Sequence, residues 1–348
     1  MQEKIKLITD STCDLSKEIV DELNLEVVPL IVSYEGTDQT FLDGIDITLE
    51  DIKKHVSETG KLPITSAVGP SIYQDIFNKY IEEGYSIIFT GIGSTLSANF
   101  QSAMIGKNTC NDPEKVTLID SRNLSTAIGI LLLKIRDLIN EGRNRDEIKE
   151  YCDKHIVPNL RAQFCIDTPD YLVKGGRCSQ MAGFVVRLLS IKPIIKVVDG
   201  KLVVAKKPIG TLNNAVFTQY QDMLRVISDV DDNYCFITGV DDEETNKYIR
   251  EIIEKNCKFK HIYSTHAGAV ISSHCGPGTI GVLYLMKPSE EPAPRKKIQI
   301  KLPTPKKKQT DNKQTEKKQT NKKQTNKKWK LEWYLLDVLK IKLIVKWF

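Results

Sequence analysis

Residues 86–103 read Ser86-Ile-Ile-Phe-Thr-Gly-Ile-Gly-Ser-Thr-Leu-Ser-Ala-Asn-Phe-Gln-Ser-Ala103, and the chemistry they suit is anion binding. Ile87–Phe89 is a short apolar run closed by Gly91 and Gly93, so it reads as a buried strand ending in a turn. Ser94 to Asn99 are small and mostly polar, and Phe100, Ala103 and Met104 then fall at helical spacing. A strand, a glycine turn and a polar helix start aim backbone N–H groups and hydroxyls at one point. A carboxylate or phosphate near Ser97 is the ligand such donors take. By residue type alone, Ser97 and Ser94 serve equally well as caps of the helix.

Other chemistries are poorly supplied. Gly91-Ile-Gly93 matches half of a dinucleotide loop, but Leu96 stands where the third glycine belongs, and no Gly-Lys-Ser/Thr phosphate loop exists. Ser97 with His274 would give half of a serine hydrolase. The Gly-x-Ser-x-Gly elbow is absent around Ser97, and nothing marks an acidic partner. A nucleotide-dependent or hydrolytic α/β enzyme using the Ser97 region is therefore the alternative reading. The eight cysteines form no Cys-x-x-Cys pair, which speaks against a zinc site or a disulfide framework and for reduced thiols in a cytoplasmic protein. No metal is expected.

The elements that must position these residues alternate. Strands are expected at Lys4–Thr9, Glu26–Val32 (interrupted by Pro29), Ile87–Phe89 and Val116–Ile119. Helices are expected at Lys17–Leu23, from Thr48 with Asp51 in its first turn, at Ile72–Glu83 and at Leu124–Asn140. Leu62–Ser71 reads as a hydroxyl-rich loop. This rhythm means a mainly parallel α/β sheet. Past Pro158 a second α/β unit follows, with Asp199-Gly200 between two apolar runs as a hairpin signal that makes its sheet mixed or antiparallel. The expected domains are 1–157, 158–288 and a tail at 289–348.

The net charge of +5 conceals a division. From Ser289 onward, 18 Lys/Arg stand against 6 Asp/Glu, so the tail carries +12 and residues 1–288 are left with −7. The acidic body argues against a nucleic-acid-binding fold. Lys-Gln-Thr recurs at 308–310, 313–315, 318–320 and 323–325 in a lysine-rich stretch that cannot bury a core, so a disordered tail is expected. Met1-Gln-Glu-Lys4 lacks the apolar core of a secretory signal, and no run of about 18 uncharged apolar residues spans a bilayer.

Several stretches together resemble the DegV family of bacterial fatty-acid-binding proteins. They are Ile8-Thr-Asp-Ser-Thr-Cys-Asp-Leu15, Val28-Pro-Leu30, Asp43-Gly-Ile-Asp46 and Pro63-Ile-Thr-Ser66. Ser94-Thr-Leu-Ser97 through Gln101-Ser-Ala103, Lys174-Gly-Gly-Arg177, Ile191-Lys-Pro193 and His274-Cys-Gly-Pro-Gly278 complete the set, in the family's order, over about residues 4 to 287. The resemblance implies a two-domain α/β protein that buries a long-chain fatty acid between its domains, with no cofactor. It also implies a partner, an ATP-dependent fatty-acid kinase related to dihydroxyacetone kinases, which phosphorylates the bound carboxyl group. The chain itself would be a lipid-binding carrier of the acyl phosphate and not an enzyme.

By the same resemblance, Thr65 and Ser97 contact the carboxylate, with Ser66 and Ser94 adjacent. His274 reaches the head group directly or through water and changes the local charge near neutral pH, and Arg177 holds an anion. Val185, Leu188, Leu189 and Ile194 are candidate walls for the acyl chain, or equally plain core residues. The chain departs from the family at Lys206-Lys-Pro-Ile-Gly-Thr211, where an arginine associated with kinase contact is missing.

Overall fold

The computed structural model describes residues 3–181 and 191–288. Strand β1 (Ile5–Asp10) leads through a short turn to helix α1 (Lys17–Glu22) and β2 (Glu26–Val28). Pro29 has no N–H to offer a ladder, so the apolar run breaks there and its second half, β3 (Ile31–Ser33), enters another sheet. With β4 (Thr40–Leu42) and, beyond helix α2 (Leu49–Thr59), β5 (Ile64–Ser66), it forms a small antiparallel sheet ordered β4-β3-β5. Thr48 and Asp51 make the reciprocal capping box of α2. Helix α3 (Pro70–Glu82), β6 (Ser86–Phe89), α4 (Asn99–Thr109) and β7 (Val116–Leu118) complete a parallel sheet ordered β2-β1-β6-β7.

Helices α5 (Thr126–Asn140) and α6 (Arg145–Tyr151) lead to the second half. There follow β8 (Leu160–Cys165), α7 (Asp170–Gly175), β9 (Ile194–Val198), β10 (Lys201–Lys206), α8 (Leu212–Leu224) and β11 (Val230–Gly239). Helix α9 (Glu243–Asn256), β12 (His261–His266), α10 (Ala269–Cys275) and β13 (Ile280–Met286) close it. The six strands form one mixed sheet ordered β10-β9-β8-β13-β11-β12, in which only β11 and β12 run parallel. Asp199 and Gly200 take φ of 48° and 76° and close the β9–β10 hairpin as their types require.

Helix α5 joins the two halves. Ala127, Ile128, Ile130 to Leu133, Ile135 and Leu138 are all buried, so its first two turns are apolar on every side and must have protein all round them, while Lys134, Arg136 and Asp137 give its last turns a polar side. One core cluster contains these residues together with Leu7, Ile88 and Ile119 of the first half and Leu160, Ala162, Phe236 and Leu283 of the second. The proposed division at 157/158 falls in the 3₁₀ turn Val157–Asn159 just before β8. The tail at 289–348 lies outside the described residues. Among those described, no helix is long and apolar enough to cross a membrane.

One local expectation needs correction, and two elements were not foreseen. Leu62–Ser71 is not all loop, because residues 64–66 pair with β3. Helix α10, which carries His274, and strand β4 left no clear pattern in the sequence. Because α5 belongs to the core of both halves, Leu131→Ala should cost roughly 2–5 kcal/mol. Hydrogen exchange should then accelerate together at β6 and β13; acceleration in one half alone would contradict a shared core.

Candidate functional site

Thr65 sits opposite Val32 in the β3–β5 ladder and shares its face of the sheet. Val32 is fully buried in a cluster with Ala269 and Val270 of α10, so this face looks at that helix. There the Thr65 Oγ1 lies 2.7 Å from Nε2 of His274. Two residues separated by 209 positions thus meet because a three-residue strand packs on a seven-residue helix.

Two buried carboxylates fix that helix. The Gly268 and Ala269 N–H groups, orphaned at the start of α10, donate to Asp14 Oδ1 at 2.8 Å and Asp43 Oδ1 at 2.7 Å. The Ser125 hydroxyl donates to Asp14 Oδ2 at 2.5 Å and the Ser11 hydroxyl to Asp43 Oδ2 at 2.7 Å. A Cβ at position 268 would stand 3.0 Å from Asp43 Oδ1, so glycine lets the carboxylates approach. Burial pushes both carboxyls up, Asp14 to about 8, against the lowering effect of the N–H and hydroxyl donors.

Helix α7 supplies the opposite side. A Cβ on Gly175 would lie 2.7 Å from His274 Nδ1, so the ring packs on bare backbone. Gly176 then takes the left-handed conformation at φ +68° and ends the helix. The chain turns back, and Arg177 Nη1 donates to the Gly175 carbonyl at 2.7 Å. Both glycines of Lys174-Gly-Gly-Arg177 therefore have a steric reason.

The turn after β6 contributes differently from its expected role as a cradle of N–H groups. Ile92 N–H donates to Asp10 Oδ2, Gly93 N–H to Asn123 O, and Ser94 N–H to Asp120 Oδ1. Leu96 and Ser97 N–H bond back to Gly93 O, and Asn99 N–H donates to Ser97 Oγ. These donors are committed within the protein, which leaves the side-chain hydroxyls to meet a ligand. The glycines also serve packing: a Cβ on Gly91 would fall 2.2 Å from Asp10 Oδ2, and one on Gly93 2.8 Å from Asn123 N. Asp10, fully buried, also accepts from Thr12 and from Asn99 Nδ2, which pins the turn to β1.

These elements enclose a narrow cleft of about 550 Å³, its open mouth included. Thr65, Ser66, Ser97, Arg177 and His274 line it, and Leu30, Ile92, Leu96, Leu124, Leu172, Leu202, Val270, Ile271 and Cys275 give it an apolar wall. Five of the six polar residues singled out in the sequence are thereby brought together. Ser94 is not: its hydroxyl is committed to Asp120 Oδ2 at 2.6 Å, and it is not among the lining residues. Ile194, fully buried in β9, is not among them either. Val185, Leu188 and Leu189 lie outside the described residues.

Burial and the Arg177 charge push the His274 imidazole down to about 4. The ring is neutral at pH 7, and the expected change of charge near neutrality does not occur there. All eight cysteines are buried thiols outside any disulfide, and no group of three or more His, Cys, Asp or Glu among the described residues is placed to hold a metal.

Residues 4–287 match a family model described as an uncharacterised protein, DegV family. A DegV domain-containing protein of Clostridium acetobutylicum is 34% identical over 286 residues, which is 82% of this chain and 99% of that one. A stearic-acid-binding protein from Eubacterium ventriosum has the same fold, with a TM-score of 0.72 at 25% identity over 81% of this chain and 98% of that one. The fatty acid kinase B3 protein of Streptococcus pneumoniae, solved loaded with linoleic acid, matches with a TM-score of 0.69 at 23% identity over 82% and 100%.

The buried Asp14 has a consequence for stability. Its carboxyl titrates near 8 when folded and near 4 when unfolded, so between these values the native state keeps a proton that the unfolded chain has lost. Stability from this group therefore falls as pH rises through that window, by at most about 1.4 kcal/mol per pH unit. Asp14→Asn keeps an acceptor for Gly268 N–H without the charge and should flatten the fall in denaturant midpoint between pH 5 and 8. An unchanged slope would contradict a proton on Asp14.

Proposed function

Because the chain belongs to the DegV family, we propose that it binds a long-chain fatty acid in the cleft and presents the carboxylate to a separate ATP-dependent kinase. The observation that carries this reading is the gathering of the Thr65, Ser66 and Ser97 hydroxyls with Arg177 and His274 at one apolar-walled cleft. A carboxylate leaving water for such a cleft needs donors to replace its hydration. Hydroxyls supply charge-assisted bonds, and Thr65 and Ser97 are the direct contacts in this reading, with Ser66 adjacent. Arg177 adds a fixed positive charge for the carboxylate or its phosphorylated product. The acyl chain lies along the leucine and isoleucine wall, each buried CH₂ contributing roughly 0.8 kcal/mol.

The division of labour follows from what each side holds. Donors that stabilise the charged form keep the acid ionised, so it arrives as a nucleophile. The kinase, of the dihydroxyacetone-kinase-like type, brings ATP, metal and the charge that stabilises phosphoryl transfer. The chain then carries the acyl phosphate onward in the cytoplasm; it is the binding subunit, and the chemistry is the kinase's. A two-domain division at 157/158 belongs to the same reading. The fatty acid bound by the Eubacterium and Streptococcus proteins supports it. The enzyme alternative is less well supported. Among the described residues no hydrogen bond joins Ser97 to His274, and the N–H groups of Gly93 and Ser94, needed for a phosphate loop, are taken.

Mass spectrometry of small molecules extracted from the purified protein should find a fatty acid of about 16 to 18 carbons; a nucleotide in its place would favour the enzyme. Ser97→Ala removes one bond to a charged group, so palmitate affinity should fall about 10-fold or more with the circular dichroism spectrum unchanged. Affinity equal to that of the parent would remove Ser97 from the site.

A further inference from the structure

The β9–β10 hairpin reaches past the sheet that carries it. Strand β8 pairs with β9 at Ile194, Ile195 and Lys196, whereas β9 and β10 go on pairing with each other as far as Val198 and Lys201. Residues 197–202 are therefore a two-stranded ribbon with no third strand beside β9, a form that is marginal in water unless something covers it. The cover comes from the first half of the chain. Leu96 and Val197 pack against the apolar cluster that contains Leu124 and Leu202, and Leu96, Leu124 and Leu202 all line the cleft. Gly200, at the tip, is buried, while its neighbours Asp199 and Lys201 are exposed.

The Thr95 side chain fastens that tip. Its hydroxyl donates to the Gly200 carbonyl, and a Cβ on Gly200 would stand 2.8 Å from Thr95 Oγ1 and 3.7 Å from the Arg122 Cβ. Among the described residues this is the hydrogen bond that joins residues 197–202 to the first half. The surface that receives the tip is braced. Asp120 accepts from the Ser94 N–H, the Ser94 hydroxyl and the Arg122 N–H, which ties the turn after β6 to the segment before α5. Ser94, absent from the cleft, thus helps to hold its rim. On its outer side β10 is attached to its own half, by the Cys178 thiol at 3.5 Å from the Leu202 carbonyl and by Val204 N–H donating to Gln180 Oε1 at 2.9 Å.

A fatty acid that fills the cleft must part its walls to enter. Most of them are fixed. Ile271 and Cys275 belong to α10, whose start is bound by Asp14 and Asp43, and Leu124 leads into the buried first turns of α5. The seam between Leu96 and Leu202 is different, because one side of it is the overhanging ribbon and a hydroxyl closes it. Segments that open for ligands come from the least stable parts of a fold. We propose that residues 197–202 form a strap closed over the cleft and latched by Thr95, and that its release is the step by which the acid enters and leaves. This rests on the fatty-acid reading of the cleft and adds a route to it. A hydroxyl-to-carbonyl bond suits the task, since its small net worth lets the strap open without unfolding the sheet.

Thr95→Val keeps the shape of the side chain and removes the donor. Palmitate release, followed in stopped flow by transfer to albumin, should quicken about threefold or more. Uptake should quicken with it, so the dissociation constant should stay within about twofold. An unchanged release rate would overturn the proposal. Cross-linking gives the opposite arm. In Thr95→Cys/Gly200→Cys one sulfur takes the place of Thr95 Oγ1, 2.8 Å from the new Cβ and within reach of a disulfide, and the eight native thiols are buried. Oxidation should slow release about tenfold or more, and reduction of the same sample should restore it. Equal rates in the two redox states, or thiols that fail to join, would also overturn it. Amide hydrogen exchange needs no ligand and keeps the two levels apart. Thr95→Val should accelerate exchange at residues 197–202 and leave 194–196, which also pair with β8, as in the parent. If it does so but the parent binds no palmitate, the strap is supported and the fatty-acid reading fails; if palmitate binds and 197–202 exchange as before, the strap alone fails.

Discussion

The hydrogen bond between Thr65 and His274 is the point on which the site's geometry depends. It joins a short strand of the small antiparallel sheet to a short helix of the second half, and neither element is long enough to hold its own position. Strand β5 is held by its ladder to β3, and α10 by carboxylates that come from the loop after β1 and from the turn before α2. The contact therefore exists only when both halves are assembled, and α5, whose buried residues share one core with both halves, is what assembles them.

Buried polar groups elsewhere in the molecule obey the same logic. Asp10, Asp14 and Asp43 are all buried, and each accepts N–H or O–H donors that fix a neighbouring turn or helix start. None of the three lines the cleft. They act at a distance, by holding the segments whose side chains do line it. Removal of one would leave donors without acceptors in a dry interior, which is why such groups are costly to lose. The glycines at 91, 175 and 268 belong to the same construction, since each lets a polar group come closer than a methyl would allow.

Much of this was legible in the sequence, and the illegible part has a physical reason. The alternation of strands and helices, the Thr48–Asp51 box and the Asp199-Gly200 hairpin are local signals, and they folded as read. Helix α10 gave no such signal because its start is capped by remote aspartates instead of a local serine or threonine. Strand β5 is three residues long and owes its conformation to pairing. The turn after β6 looked like an anion cradle, since a sequence shows N–H groups without showing which carbonyls and carboxylates already take them. Ser94 was drawn into the site by adjacency in sequence, but its partner Asp120 lies 26 residues on. His274 looked titratable near pH 7 because neither its burial nor Arg177 beside it can be read from a linear chain.

A crystal structure of the full chain with a long-chain fatty acid would test the central claim most directly. The account predicts the carboxylate within hydrogen-bond distance of both the Thr65 and Ser97 hydroxyls, with the chain running along the wall that includes Leu124, Leu172 and Ile271. A fatty acid seated with its methyl end at Thr65, or bound elsewhere while this cleft stays closed, would contradict it.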